Sequence, residues 1–177
     1  MSSRPDQNVH LRPYALEDAD RLAVLLNDPD VTAMTSSIPY PYARSDAEAF
    51  LSDVRNEDGR KVSRAITRDG ALVGGIGFGP RPGGHEEIGY WVGKPHWGQG
   101  IATVAVGVFV ELLDALGIDG DIEARTVASN EASQKVLINN GFAYRGEGEC
   151  ITPARAQAKM AAKLYVLERL GKPGDLS

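Results

Sequence analysis

Two glycines at the start of a long apolar helix are the residues of this chain whose type and spacing best suit chemistry. Gly98 and Gly100 close the loop Gly93-Lys94-Pro95-His96-Trp97-Gly98-Gln99-Gly100, and Ile101-Ala102-Thr103 opens a helix expected to run to about Leu116. The first N–H groups of a helix lack intrahelical partners, and the helix dipole adds partial positive charge there. Glycines remove the side chains that would keep a phosphate away from those groups. The stretch is therefore expected to hold a phosphate-bearing cofactor. As a dinucleotide fingerprint it is incomplete, because Thr103 stands where the third glycine belongs and several strands precede it. A Walker loop is excluded, since no Gly-Lys-Ser/Thr follows. A purely structural glycine turn is the plain alternative.

Other reactive side chains offer less. Cys150 is the one cysteine, so an internal disulfide is impossible and a reducing compartment is expected. His10, His85 and His96 lack metal-ligand spacing, and no metal is expected. The net charge of −5 argues against broad nucleic-acid binding and means that an anionic cofactor must be held by local geometry. The first ten residues contain no apolar run resembling a signal peptide, and no apolar stretch is long enough to span a membrane. A soluble cytoplasmic protein, monomeric or homodimeric, is the expectation. The 177 residues read as one domain over 1–177, with its core over about 9–170.

The elements that must position the loop can be read in order. Val9–Arg12 is a short strand, and the apolar period at Leu16, Ala19, Leu22, Ala23 and Leu26 predicts a helix stopped by Asn27-Asp28-Pro29. Val31 to Arg44, with Pro39 and Pro41 interleaved with Tyr40 and Tyr42, reads as irregular chain or short helical turns. Ser45-Asp46-Ala47-Glu48 reads as a capping box with Ser45 as the cap, opening a helix to about Asn56. Lys61–Thr67 and Ala71–Phe78 read as strands joined by the turn Arg68-Asp69-Gly70, and Pro80–Gly84 reads as a loop. Glu86–Val92 is the strand feeding the glycine loop. After the long helix follow a strand over Ile122–Val127, a helix over Asn130–Asn139 ended by Asn140-Gly141, and a strand over Phe142–Gly148. Glu149–Ala158 reads as a loop, Ala161–Arg169 as a strand in preference to a helix, and Gly171–Ser177 as a frayed tail. The predicted fold class is α/β (mixed α+β), one mixed sheet with helices on both faces. Ile88–Val127 would form a right-handed parallel crossover.

Three spaced motifs carry a family resemblance. Trp97-Gly98-Gln99-Gly100-Ile101-Ala102 resembles the acyl-CoA signature of the GNAT acetyltransferases, Gln/Arg-x-x-Gly-x-Gly/Ala, with Trp97 departing at the first position. That departure is typical of the subgroup similar to ribosomal-protein N-terminal acetyltransferases. Ile88-Gly89-Tyr90-Trp91-Val92 resembles that subgroup too, as does Asn130-Glu131-Ala132-Ser133 followed by Asn140-Gly141-Phe142. The opening Leu11–Leu22 stretch also looks like the family's first strand and helix, so the resemblance spans nearly the whole chain. Val104 departs from a frequent Glu, at a helix position of small consequence.

The resemblance implies a GNAT fold with a largely antiparallel sheet, acetyl-CoA as cosubstrate and a primary amine as acceptor, most plausibly a protein or peptide N-terminal α-amine. A small amine, or a non-catalytic acyl-CoA-binding module, is the alternative. It implies that Gly98, Gln99, Gly100, Ile101, Ala102 and Thr103 cradle the pyrophosphate, with Trp97 in the signature and the Thr103 hydroxyl as an extra donor. Trp91, Val92 and Gly93 would meet the pantetheine arm where two strands splay, and a backbone N–H near Tyr90 or Trp91 would face the thioester oxygen. Asn130 would bond the arm, or simply cap its helix. An amine nucleophile is largely protonated at neutral pH and benefits from a base. Glu86 and Glu87 point to opposite strand faces, and Glu87, at the position where the family often has an acid, is the expected base. The family's usual Tyr on the helix after Asn130 is missing, since Val136 and Leu137 occupy that region, so the resemblance assigns thiolate stabilisation to Ser133. Tyr40, Tyr42 and Trp91 are candidates for an acceptor pocket. Cys150 as an acyl carrier is disfavoured, because direct transfer is the family's habit.

Overall fold

A computed structural model of the chain describes residues 8–55, 59–80, 85–155 and 158–169. Seven strands form one sheet: β1 (Val9–Arg12), β2 (Val62–Arg68), β3 (Ala71–Pro80), β4 (Glu86–Val92), β5 (Ile122–Val127), β6 (Ala143–Thr152) and β7 (Ala158–Leu167). Their order is β1-β2-β3-β4-β5-β7-β6, and every neighbouring pair is antiparallel except β4 and β5. The helices are α1 (Ala19–Leu26), α2 (Pro29–Thr32), α3 (Arg44–Val54), α4 (Ile101–Ala115) and α5 (Glu131–Asn139). Among the described residues no helix is long and apolar enough to cross a membrane.

Alternation along the strands divides the core in two. Ile66, Ile76, Phe78 and Ile88 pack against α4 and α5, while Ala65, Leu72 and Trp91 pack against α1 and α3. Helix α4 buries Ile101, Ala105, Phe109 and Leu113, a stripe with the i, i+4 spacing of one helix face. Its remaining faces carry Val104, Val110 and Leu112, partly buried, so α4 is apolar almost all round and lies centrally on the sheet. Asn140 ties α4 to α5: its Nδ2 donates to Thr103 O (3.1 Å) and Val136 O (2.9 Å).

The β2–β3 turn has Asp69 at φ 51° and Gly70 at φ 82°, the two positive values that a tight type I′ hairpin requires. Three local expectations are corrected. The segment from Leu16 begins as a 3-10 turn over Leu16–Asp18 before α1. Helix α3 is capped two residues earlier than expected. Ala43 is its N-cap, and its backbone N–H donates to Asp46 Oδ2 at 2.7 Å, so Asp46 and not Glu48 reaches back. A serine followed by an acid three residues on also describes positions inside a first turn, which is why the pattern misled. The polar stretch after Gly148 continues β6 to Thr152, and β7 already starts at Ala158. Edge strand β6 has exposed residues, so burial left no apolar pattern to read there. The expected end of α3 at Asn56, the interior of the Pro80–Gly84 loop and the Gly171–Ser177 tail lie outside the described residues.

Candidate active site

The parallel pair at the centre of the sheet is short. Strands β4 and β5 are in register only at Glu87↔Glu123 and Ile88↔Ala124. Beyond that apex Gly89–Val92 stay paired to β3 and Arg125–Val127 to β7, so the two strands part and leave a gap. A gap at the C-terminal ends of parallel strands is where open α/β sheets bind ligands. It opens into one continuous cleft of about 1200 Å³ that runs from the start of α4 to the segment between α2 and α3.

The start of α4 forms one end of the cleft. Gly98 and Gly100 have φ values of 71° and 75°, a left-handed conformation that side-chain-bearing residues adopt only with strain. Gly100 is the N-cap, and no side chain caps the helix. The N–H of Val104 bonds Gly100 O, which leaves those of Ile101, Ala102 and Thr103 without intrahelical partners. Trp97 explains its own departure from the signature: its Nε1–H donates to Val92 O at 2.7 Å and anchors the loop to the end of β4. Gly93 is needed for close approach, because a Cβ there would meet Leu25 Cδ2 of α1 at 2.7 Å.

Two cationic side chains that no sequence pattern assigns, Arg68 and Arg21, gather beside this loop. Arg68 bonds Gln99 Oε1, and Arg21 Nη2 lies 3.4 Å from His96 Nε2. Burial, then the nearby Arg21 and Arg68 charges, push the His96 pKa down. A chain of net charge −5 thus keeps positive groups where an anion would lie. Spacing marks Arg68 only as a turn residue, and its approach to Gln99 depends on sheet register that no local pattern reveals.

Backbone direction sorts the residues expected along the gap. Gly93 N–H donates to Val73 O at 2.8 Å, so by antiparallel alternation the backbones of Trp91 and Gly93 address β3. Those of Tyr90 and Val92 face the gap, which leaves the Tyr90 N–H as the donor available there. Trp91 contributes its side chain instead, on the α1/α3 face of the sheet.

Glu87 lies on that same face, two alternations before Trp91. It is buried, whereas Glu86 is exposed. Arg125 of β5 pairs with it, Nη2 to Oε1 at 3.1 Å. No sequence pattern marks Arg125, which stands two residues beyond Glu123, the register partner of Glu87, and so on the same face of the sheet. Cys150 lies near this pair; burial raises its thiol pKa, with Arg125 opposing and Glu87 reinforcing the rise. Tyr14, edge-on to Phe50 at 5.1 Å, and the buried Tyr42 line the same side of the cleft, while Tyr40 is exposed.

The opposite side of the gap carries Ser133. Asn130 caps α5, its Oδ1 accepting the Ser133 N–H at 3.1 Å. The Ser133 hydroxyl has a partner that the sequence did not suggest: Tyr90 Oη lies 2.8 Å from Ser133 Oγ and 3.2 Å from Ser133 O. Tyr90 of β4 thus brings a phenol to the first turn of α5. Lys163 Nζ donates to Gln134 Oε1 at 3.2 Å, and Gln134 Nε2 to Ala128 O at 2.8 Å, fixing the first turn of α5 against the sheet.

Comparison with known proteins agrees with this geometry. Residues 8–143 match the family model described as an acetyltransferase (GNAT) domain. The chain is 30% identical over 148 residues to the uncharacterized N-acetyltransferase p20 of Bacillus licheniformis, covering 80% of this chain and 82% of that protein. Among solved structures, RimJ of Mycobacterium smegmatis in complex with CoA-disulfide superposes with a TM-score of 0.81 at 24% identity, covering 96% of this chain and 86% of that one. The microcin C7 self-immunity acetyltransferase MccE, in complex with acetyl-CoA and AMP, gives 0.79 at 18% identity, covering 93% and 94%. These likenesses extend the shared fold over more than nine-tenths of the chain.

Proposed function

This chain belongs to the GNAT acetyltransferase family, and from that membership we propose that it transfers an acetyl group from acetyl-CoA to the N-terminal α-amine of a protein or peptide by direct attack. The observation that carries the reading is the placement of Glu87. It is a buried carboxylate at the apex of the splay, paired with Arg125, on the face of the sheet that carries Trp91 and packs against α1 and α3.

The residues at hand fit acetyl-CoA. The free N–H groups of Ile101, Ala102 and Thr103, with Arg68 beside them, suit a pyrophosphate. The gap from Gly89 to Val92 offers backbone groups to an extended amide-bearing arm, and Asn130 sits at its far wall. Acetyl-CoA supplies a thioester carbon and a thiolate leaving group. Glu87 accepts the proton of the attacking amine, directly or through one water. Tyr90 N–H faces the developing oxyanion. Ser133 hydrogen-bonds the departing thiolate. An α-amine suits a carboxylate base better than a lysine amine does, because its pKa of about 8 leaves a fraction neutral at pH 7, against about 10.4 for lysine.

A thiol-release assay with acetyl-CoA across peptides of different first residues, the same peptides with blocked N-termini, and a panel of small amines tests this. Release is expected with free N-termini and lost on blocking. Release with small amines alone would replace the peptide reading, and CoA binding without any release would make the chain a binding module.

A further inference from the structure

We propose that Tyr90 and Ser133 form a two-hydroxyl switch that lowers the energy of the CoA thiolate without either residue giving up its proton. This rests on the acetyltransferase reading above, and on the contact between the two residues. Tyr90 Oη stands within hydrogen-bond distance of two Ser133 atoms, Oγ at 2.8 Å and the carbonyl O at 3.2 Å. A phenol has a single proton, so two arrangements share one geometry. In the first, Tyr90 O–H donates to Ser133 O, and Ser133 Oγ–H donates back to Tyr90 Oη. In the second, Tyr90 O–H turns to Ser133 Oγ, which frees Ser133 Oγ–H to point elsewhere.

The elements hold both residues where the second arrangement has a use. Tyr90 leaves β4 on the α4/α5 face beside the gap, and Ser133 sits in the first turn of α5, anchored by its N–H on Asn130 Oδ1. Both line the cleft. Serine alone is too weak an acid to protonate a thiolate. A serine hydroxyl that also accepts a bond from a phenol is a more polarised donor, since chained hydrogen bonds reinforce one another. Burial pushes the Tyr90 pKa up to about 12, against the lowering effect of the Ser133 bond, so the phenol keeps its proton throughout the working range.

As the amine nitrogen bonds the acyl carbon and its proton goes to Glu87, the C–S bond breaks and its electron pair stays on sulfur. Ser133 Oγ–H turns to that sulfur and Tyr90 O–H follows onto Oγ. The thiolate takes its proton from solvent on release, and the pair of hydroxyls returns to its first arrangement.

The test needs no acceptor. CoA bound to the protein is titrated by the ultraviolet absorbance of its thiolate. The bound thiol in the parent protein should be the more acidic, and Tyr90→Phe should raise its pKa by about one unit, a tenfold loss of acidity. Ser133→Ala, which removes the donor itself, should raise it further, and the double variant no further than Ser133→Ala, because Tyr90 acts only through Ser133. CoA affinity of Tyr90→Phe at a pH where the thiol is protonated should stay near the parent value and fall only where the thiolate forms, which separates the switch from a mere staple between α5 and β4. Bound CoA whose thiol titrates identically in the parent and Tyr90→Phe overturns the switch while leaving the transferase reading standing. Independent, additive shifts from the two single variants overturn it as well. Failure of CoA to bind the parent protein overturns the transferase reading itself.

Discussion

At the Gly98–Thr103 end of the cleft the inward groups are backbone N–H donors on a helix start, whereas at the β4–β5 end they are side chains drawn from three elements: Glu87 and Tyr90 of β4, Arg125 of β5 and Ser133 of α5. The first end depends on two glycine φ values and tolerates change in the side chains around it, as Trp97 in place of the usual Gln or Arg illustrates. The second depends on register across a parallel pair only two residues long. Binding of the cofactor and chemistry on it are therefore expected to be separable by substitution, to a degree that a site built from one material would not permit.

The largest separation should come from Glu87→Gln. Turnover per binding event, read as kcat/KM for the amine, is expected to fall about 10²- to 10⁴-fold, the range for loss of a general base, with CoA affinity by calorimetry unchanged. A small loss of turnover would move the base elsewhere. Gly100→Val should do the reverse. Its φ of 75° strains a β-branched residue by roughly 1–3 kcal/mol, so CoA binding should weaken about ten- to a hundredfold while kcat at saturating acetyl-CoA holds. Equal damage to kcat would show that the two ends are coupled. Arg125→Met is expected to lower kcat about tenfold by loosening Glu87, with Arg125→Lys recovering part of it, and CoA affinity is the control.

The smallest effect belongs to a pair outside both ends. Arg12 grips Asp18 with two bonds, Nη1–Oδ2 at 2.8 Å and Nη2–Oδ1 at 2.7 Å, and Asp18 Oδ2 also accepts the Ala15 N–H. Burial pushes the Asp18 carboxyl up, but the Arg12 and Ala15 bonds outweigh it and hold it below the usual carboxylate range. A folded-state pKa below the unfolded one means that this stabilisation is present above about pH 4 and is lost as pH falls through the folded value. Asp18→Asn should cost about 1–2 kcal/mol in denaturant unfolding at pH 7 and less in acid, with CoA affinity and turnover unmoved. An unchanged difference across that pH range would remove the pair from the stability of the fold.

The same contrast decides how much was legible beforehand. A helix start flanked by glycines is a local pattern, so the Gly98–Thr103 loop could be located from its own residues, and α4 from its apolar period. Asn130 could be read as a cap for the same reason. Arg125, Arg68 and Tyr90 acquire their partners only through strand order and the facing of side chains, which sequence spacing does not encode. Glu87 was reached through a family likeness, and its buried pairing with Arg125 needed the β4–β5 register. Strand β6 escaped notice past Gly148 because an exposed edge has no apolar alternation, and the cap of α3 slipped from Ala43 to Ser45 because side chains of both Asp46 and Glu48 suit a first turn.

The most direct measurement is the position of the acetyl group after a single turnover on a peptide that carries both a free N-terminal α-amine and an internal lysine, read by tandem mass spectrometry. Acetyl on the α-amine, absent in the Glu87→Gln protein, is the expected result. Acetyl on the lysine, or an untouched peptide beside an acetylated small amine, would contradict it.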